Sequence, residues 1–385
     1  MRLENIYTIE DMRVLAKRRL PRVVFDYIDG GAGDEQGLNN NAAQFRNFRL
    51  VPRFLVDVSK RTTKTTVFGR EYSSLFGIAP TGYAGLYRPG GEKMLARAAL
   101  DSGIPFVQSG SSVASIEQIG EVARGNSWFQ LYAARDPAMS ADLLRRAADA
   151  GVETVAVTVD LPVAGSRPRD FRSGWRVPPK MTPQVFFDGL CHPAWSWGYL
   201  RSGGLPKMGN WVPYVGEGAT AADVAQFSRV NAYSTQVWSD IERYRRTWKG
   251  NLVVKGILHR EDARIAADVG VDGIIVSNHG GRQFDRAPAP IEVLPGIVEA
   301  AGSRITVMMD SGISNGVDML IAYALGAKFV FVGRATAWGL IVGGLEGAKR
   351  SIDILKAQAD LGMGQIGCNS SAELTKATLL RVDQR

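Results

Sequence analysis

A (β/α)8 barrel is the fold this sequence predicts, on three observations. Eight short, continuously apolar runs follow one another beyond Val51, helical patterns separate them, and each run ends in glycine, a small polar residue or a charge. Runs that are apolar at every position are what strands buried on both faces look like, and helical crossovers make their sheet parallel. Eight strand–helix units are the number that closes a barrel. A two-domain doubly wound sheet is the alternative, because β/α alternation does not by itself require closure.

The elements follow in order. Thr8, with Asp11 three residues on, starts a capped helix through Met12, Leu15 and Ala16 that stops before Pro21. Strands are expected at Phe76–Ala79, Pro105–Val107, Trp128–Leu131, Thr154–Val157, Leu252–Val254, Gly273–Val276, Ile305–Met309 and Phe329–Val332. Helices are expected at Gly91–Ser102, Met139–Ala150, Arg260–Val269, Pro290–Ala301 and Gly316–Leu325. Spacing is regular except between the fourth and fifth strands. There residues 172–232 leave the barrel as a long insertion within what reads as one domain spanning residues 1–385. The insertion carries Val185-Phe-Phe187, Trp195-Ser-Trp197-Gly-Tyr199-Leu200 and Trp211-Val-Pro-Tyr214, with Arg201 and Lys207 between them. Such a mixture suits a lid over the barrel mouth, a subunit contact or a membrane-facing segment.

Composition narrows the function classes. With 45% hydrophobic and 22% charged residues, the chain is neither disordered nor a polytopic membrane protein, and no run of ~18 uncharged apolar residues occurs. The start, MRLENIYTIEDM, lacks the apolar core of a secretory signal. Two cysteines, Cys191 and Cys368, cannot build a disulfide framework, so a reduced, cytoplasmic setting is expected. Lys and Arg total 46 against 38 acids, yet the basic clusters Lys60-Arg61 and Arg243-Tyr-Arg-Arg are short. That pattern fits acidic small molecules or an anionic membrane face rather than nucleic acid.

In a barrel the chemistry lies at the carboxyl ends of the strands. Those ends carry Pro80-Thr81-Gly82, Ser109, Gln130 with Tyr132, Thr158 with Asp160 and Arg167, Lys255, Ser277-Asn-His279-Gly-Gly-Arg282, Asp310-Ser311-Gly312, and Gly333-Arg334. His279 is one of only three histidines, suited to proton transfer, and Asp160 is placed to orient its ring. His192 and His259 have no such company and read as structural. Lys255 needs an anionic or electron-rich partner, and Arg167 and Arg282 suit a carboxylate. The glycine-containing segments after strands seven and eight are where barrels hold phosphate. No HExxH or GxSxG pattern is present, which argues against metal or serine hydrolysis and leaves no metal site expected.

These residues resemble the FMN-dependent 2-hydroxy acid oxidase and dehydrogenase family, which includes glycolate oxidase, lactate oxidase and mandelate dehydrogenase. The likeness runs through Phe25-Asp-Tyr27-Ile-Asp-Gly-Gly-Ala, Ala79-Pro-Thr-Gly82, Trp128-Phe-Gln130-Leu-Tyr132, Thr158-Val-Asp160, Val254-Lys255-Gly256, Ser277-Asn-His279-Gly-Gly-Arg282-Gln, Asp310-Ser-Gly312 and Gly333-Arg334. The resemblance implies that His279 takes the hydroxyl proton with Asp160 as its partner. Tyr27, Arg167 and Arg282 would hold the substrate carboxylate, and Tyr132 would bond the hydroxyl. Lys255 would stand near the flavin N1–C2 carbonyl. Pro80, Thr81, Gly82, Ser109, Gln130, Thr158 and Ser277 would line the ring and ribityl chain, while Asp310, Ser311, Gly312, Ile313, Ser314, Gly333 and Arg334 would take the phosphate tail. It further implies FMN as cofactor and a homo-tetramer.

The expected reaction is oxidation of an L-2-hydroxy acid to the 2-oxo acid, by hydride transfer to flavin N5 or through a carbanion. Gly82, shared with mandelate dehydrogenase where the oxidases carry alanine, points to a dehydrogenase passing electrons to a quinone. It also makes space for a bulky substrate such as (S)-mandelate, with glycolate and lactate as smaller alternatives. An oxidase making hydrogen peroxide, a low-turnover flavin-binding protein, and a phosphate-binding aldolase or isomerase remain the alternatives. Two departures from the family stand out. Ser314 replaces a customary arginine, and the stretch around Gln108–Ser111 differs from glycolate oxidase.

Overall fold

The computed structural model describes residues 2–175, 182–216, 218–232, 235–374 and 379–382. Eight strands close a barrel: β1 (Phe76–Ile78), β2 (Phe106–Gln108), β3 (Ser127–Leu131), β4 (Thr154–Thr158), β5 (Asn251–Ile257), β6 (Gly273–Val276), β7 (Thr306–Met309) and β8 (Phe329–Val332). Each pairs in parallel with its sequence neighbours, and β8 closes on β1 through Val330–Phe76. That closure eliminates the doubly wound alternative. The expected helices appear at Gly91–Asp101, Pro137–Asp149, Arg260–Val269, Pro290–Ala301 and Gly316–Ala324.

Period-two geometry explains both the core and the site. Residues i and i+2 of a strand face the same way. Val107, Trp128, Ala156, Val253, Ile275 and Met308 fill the barrel interior together with Phe329 and Phe331. Two positions further on, the same inward rows reach Ser109, Gln130, Thr158, Lys255, Ser277 and Asp310. Six of the eight strands therefore deliver an apolar residue to the lumen and a polar one to the mouth. A hairpin of Thr65–Val67 and Arg70–Tyr72 seals the opposite end, with Val67, Phe68 and Tyr72 packed into the interior cluster. Its short strands carry little pattern, and the sequence reading did not anticipate it.

The amino-terminal part is richer than expected. Thr8 and Asp11 form the anticipated capping box of the helix Ile9–Arg19. Pro21 ends that helix and caps a second, Arg22–Asp29, which carries Tyr27; a third spans Gln36–Ala43. Arg13 and Arg169 clamp Asp29 at 2.6 and 2.9 Å, tying this segment to the mouth.

The insertion is helical, with segments at Pro183–Cys191, Pro193–Arg201, Val212–Val215 and Ala221–Asn231; positions 176–181 and 217 lie outside the described residues. Its aromatics split by face. Tyr199 and Trp211 are buried, the Trp195 indole donates to Leu86 O at 3.0 Å, and the Tyr199 hydroxyl donates to Gly85 O. Phe186, Phe187, Leu190, Trp197 and Leu200 are exposed. Among the described residues no helix is long and apolar enough to cross a membrane.

Candidate active site

The barrel mouth opens into a cavity of about 1190 Å³, whose walls include Tyr27, Pro80–Gly82, Tyr132, Arg167, Lys255, His279, Arg282, Asp310–Ser314 and Gly333-Arg334. Gln130, Thr158, Ser109 and Ser277 lie just beneath, at the strand ends. The structure thus gathers into one place residues that the sequence scatters over three hundred positions.

His279 is at its centre. Its Nδ1 lies 2.9 Å from Asp160 Oδ1, and its Nε2 lies 3.3 Å from the Tyr132 hydroxyl. Burial works against ionising Asp160, but the imidazole and Lys255 outweigh it, so its pKa sits below the usual carboxylate value. An ionised carboxylate only accepts, which fixes the proton on Nδ1 and leaves the Nε2 lone pair facing Tyr132 and the cavity. The loop is built for this. His279 has φ +59°, followed by Gly280 and Gly281 at +67° and +74°. Ser277 Oγ holds the His279 amide at 3.1 Å, and buried Asn278 exchanges amide bonds with Asn41.

Lys255 is buried, donating to Ser277 Oγ at 2.9 Å and standing 3.4 Å from Asp310. Burial disfavours its charge, yet Asp310 and Asp160 more than offset this and raise its pKa. The next residue, Gly256, sits at a register shift against β6 with φ +109°, where a Cβ would stand 2.6 Å from the Asp160 Cβ. A glycine isolated in a strand is a bulge signal. Its purpose, clearing room for the acid that orients His279, appears only in three dimensions.

The arginines are tied down as well as positioned. Arg282 donates to the carbonyls of Tyr27 and Gly30 at 2.7 and 2.8 Å, with its guanidinium 5.0 Å from the Tyr27 ring centroid. Arg167 lies 5.9 Å from the same ring and 3.0 Å from buried Asp170. Burial and the neighbouring Arg167 push Arg282 below the usual arginine range, as expected where two cations crowd one spot awaiting an anion. Trp175, which sequence reasoning missed, stacks 4.4 Å from Tyr27 and forms an aromatic wall with Tyr83 and Tyr87. Arg334 lines the cavity, but Nε, Nη1 and Nη2 each donate to a carbonyl, of Ile28, Gly280 and Gly30. Ser314 donates to Asp318 through both its amide and hydroxyl.

The cavity fits a large polar ring with a phosphate tail. Gln130 Nε2 and Thr158 Oγ1 are buried at adjacent strand ends with no partner among the described residues. Native interiors rarely leave such groups unpaired, so a heterocycle with acceptor atoms is the natural complement. At the other end, Gly312 and Gly333 line the cavity, and the Gly312 backbone packs on Asn41 and Phe45. No cluster of metal-ligating side chains occurs among the described residues.

Fold and site together define a barrel with a His–Asp pair, two arginines that could hold a carboxylate and a cavity that could hold a phosphate-bearing redox cofactor. The comparisons specify the class. Residues 16–381 match the model of the FMN-dependent dehydrogenase family, and the chain belongs to that family. It is 39% identical to an L-lactate dehydrogenase of Caulobacter sp. (strain K31) over 379 residues, covering 98% of this chain and 100% of the relative. It is likewise 39% identical to the (S)-mandelate dehydrogenase of Pseudomonas putida, covering 97% and 93%. The crystal structure of a monotopic membrane protein, (S)-mandelate dehydrogenase, superposes with a TM-score of 0.93 at 38% identity, covering 98% and 100%. The family is one of FMN-dependent enzymes, and the named relatives of this chain in it act as L-lactate and (S)-mandelate dehydrogenases.

Proposed function

We propose that the protein oxidises an L-2-hydroxy acid with a bulky apolar side chain, (S)-mandelate being the lead candidate, and that it does so at the membrane surface. The observation carrying this reading is the His279–Asp160 pair beside Arg167 and Arg282, with Tyr27, Trp175, Tyr83 and Tyr87 forming an apolar wall at the same mouth. Arg167, Arg282 and Tyr27 receive the substrate carboxylate, which brings the 2-hydroxyl toward Tyr132 and His279 Nε2. His279 then removes the hydroxyl proton, and ionised Asp160 stabilises the resulting imidazolium. FMN, when bound, supplies the two-electron acceptor, taken up by Pro80–Gly82, Ser109, Gln130, Thr158, Lys255 and Ser277 about its ring and by Asp310–Ser314 with Gly333-Arg334 about its tail. Lys255, held cationic, is suited to the negative charge that accumulates on a reduced ring.

Three measurements test this. Under argon, L-mandelate should bleach the bound yellow cofactor; a flavin bleached by none of L-mandelate, L-lactate and glycolate would refute hydroxy-acid oxidation. Oxygen uptake matching turnover would favour the oxidase alternative over a quinone acceptor. A kcat/KM for glycolate equal to or above that for L-mandelate would overturn the substrate assignment. Membrane contact is supported by the exposed Phe186, Phe187, Leu190, Trp197 and Leu200 on two consecutive helices of the insertion, with the Arg201 guanidinium 5.0 Å from the Trp197 ring centroid. A lid and a subunit contact are the competing roles of this face.

A further inference from the structure

The phosphate end of the cavity has a charge problem. FMN carries a phosphate monoester that is close to a dianion at neutral pH. The loop expected to receive it, Asp310-Ser-Gly-Ile-Ser-Asn-Gly316, contains no lysine or arginine. It does contain an acid, Asp310, and a second lies just beyond it. Asp318 accepts from the Ser314 amide, the Ser314 hydroxyl and the Asn315 amide at 2.9 to 3.2 Å. Of the cations on the cavity wall, Lys255 is occupied with Asp310 and Ser277, and Arg13 with Asp29 and Glu10. Arg334 commits one N–H of each nitrogen to a carbonyl, so only two of its five N–H groups are left for the tail. Arg46 remains.

We propose that Arg46, from the turn Gln44–Asn47, supplies the guanidinium that holds the FMN phosphate in this chain. Three placements support it, given the tail site assigned above. Arg46 lines the main cavity together with Ser314 and Asn315, and it lines a second cavity of about 1060 Å³ that shares those two residues, so it stands at the junction beside the loop. It directly follows Phe45, whose ring packs on the Gly312 backbone: a Cβ at Gly312 would stand 3.1 Å from Phe45 Cε2. The turn is also anchored, because the preceding helix Gln36–Ala43 is fixed to the His279 loop by the Asn41–Asn278 pair. A five-donor fork exposed at the end of a fixed turn is suited to bidentate phosphate binding.

The test compares two flavins that differ only in the phosphate. The full chain is stripped of flavin and titrated with FMN and with riboflavin, following flavin fluorescence. Arg46→Ala should weaken FMN about tenfold, the low end for a charge-assisted bond at an exposed site, and leave riboflavin unchanged. Adding Ser314→Arg to Arg46→Ala should recover FMN affinity by placing a cation inside the loop. Equal FMN affinity of Arg46→Ala and wild type would overturn the proposal, as would an equal loss of riboflavin. A wild-type chain that binds FMN and riboflavin alike would instead overturn the tail site itself, and Arg46 with it. Because Arg46 is exposed, Arg46→Ala leaves the packed core untouched.

Discussion

At the scale of single residues, the proposed chemistry rests on one imidazole held in a backbone conformation that side chains seldom adopt. Ser277, Asn278 and two glycines keep His279 at φ +59°, and Asp160 sets its tautomer. His279→Asn should keep flavin bound while lowering hydroxy-acid turnover at least ~10²-fold, the low end for losing a general base. Steady-state turnover near wild type would end the assignment. Gly256 offers a sharper test of positioning. Gly256→Ala adds a methyl 2.6 Å from the Asp160 Cβ, at φ +109°. Strain of that kind costs on the order of 1–3 kcal/mol. The melting temperature should drop, and turnover should fall more than flavin affinity does, because Asp160 is pushed from His279. A variant that melts and turns over like wild type would show that the bulge absorbs the methyl. The sequence held His279 in plain view, since a histidine at a strand end between small residues is visible by inspection. It hid the purpose of Gly256, which depends on what the neighbouring strand brings alongside.

At the scale of elements, the insertion is moored by a buried arginine. Arg146, on the helix Pro137–Asp149, binds Glu117 at 2.7 and 3.1 Å, the Asn210 carbonyl at 3.0 Å and the Tyr214 hydroxyl at 3.3 Å. Its partnership pulls the Glu117 pKa down to about 2. A carboxylate depressed in the folded state gives stability that is complete above its unfolded pKa of ~4.5 and lost as pH falls toward about 2. The turn at Trp211–Tyr214 should therefore loosen between those values, ahead of the barrel, and Glu117→Gln should bring that loosening to neutral pH. Limited proteolysis across the range checks this; cleavage of the insertion that ignores both pH and the substitution would contradict it. Helix mooring of this kind was not legible in the sequence. Glu117 and Arg146 sit on different barrel helices, and nothing local marks them as partners.

At the scale of the whole molecule, the insertion presents one face to the barrel and one to its surroundings. Deleting Thr182–Tyr214 outright would remove Trp211 and Tyr199 from the core as well as the exposed rings. Replacing Phe186, Phe187, Trp197 and Leu200 by serine isolates the outer face. Such a variant should keep turnover with a soluble dye, yet lose binding to anionic lipid vesicles and lose quinone reduction. Unchanged vesicle binding would exclude this face as the contact. Turnover lost with the dye as well would favour a lid, and a smaller particle in solution would favour a subunit contact.

What the sequence determined by itself is the part governed by local rules. Eight apolar runs with helices between them specify a parallel sheet of eight strands, whose closure the structure decided, and the period of two carries a run from a lumen residue to a mouth residue. Gln130, Thr158, Lys255, Ser277 and Asp310 could therefore be found by counting. The capping box at Thr8 and Asp11 is equally local. What only the tertiary structure decided are contacts between segments far apart in the chain. These include the hairpin at Thr65–Tyr72 that plugs the barrel, the Trp175 wall beside Tyr27, the split of the insertion's aromatics between buried and exposed positions, and the approach of Arg46 to the Asp310–Gly316 loop, far along the chain. Hydrophobic periodicity reports only whether a side chain is buried. Which surface buries it is set by closure of the barrel, and the electrostatics of the mouth follow from that closure.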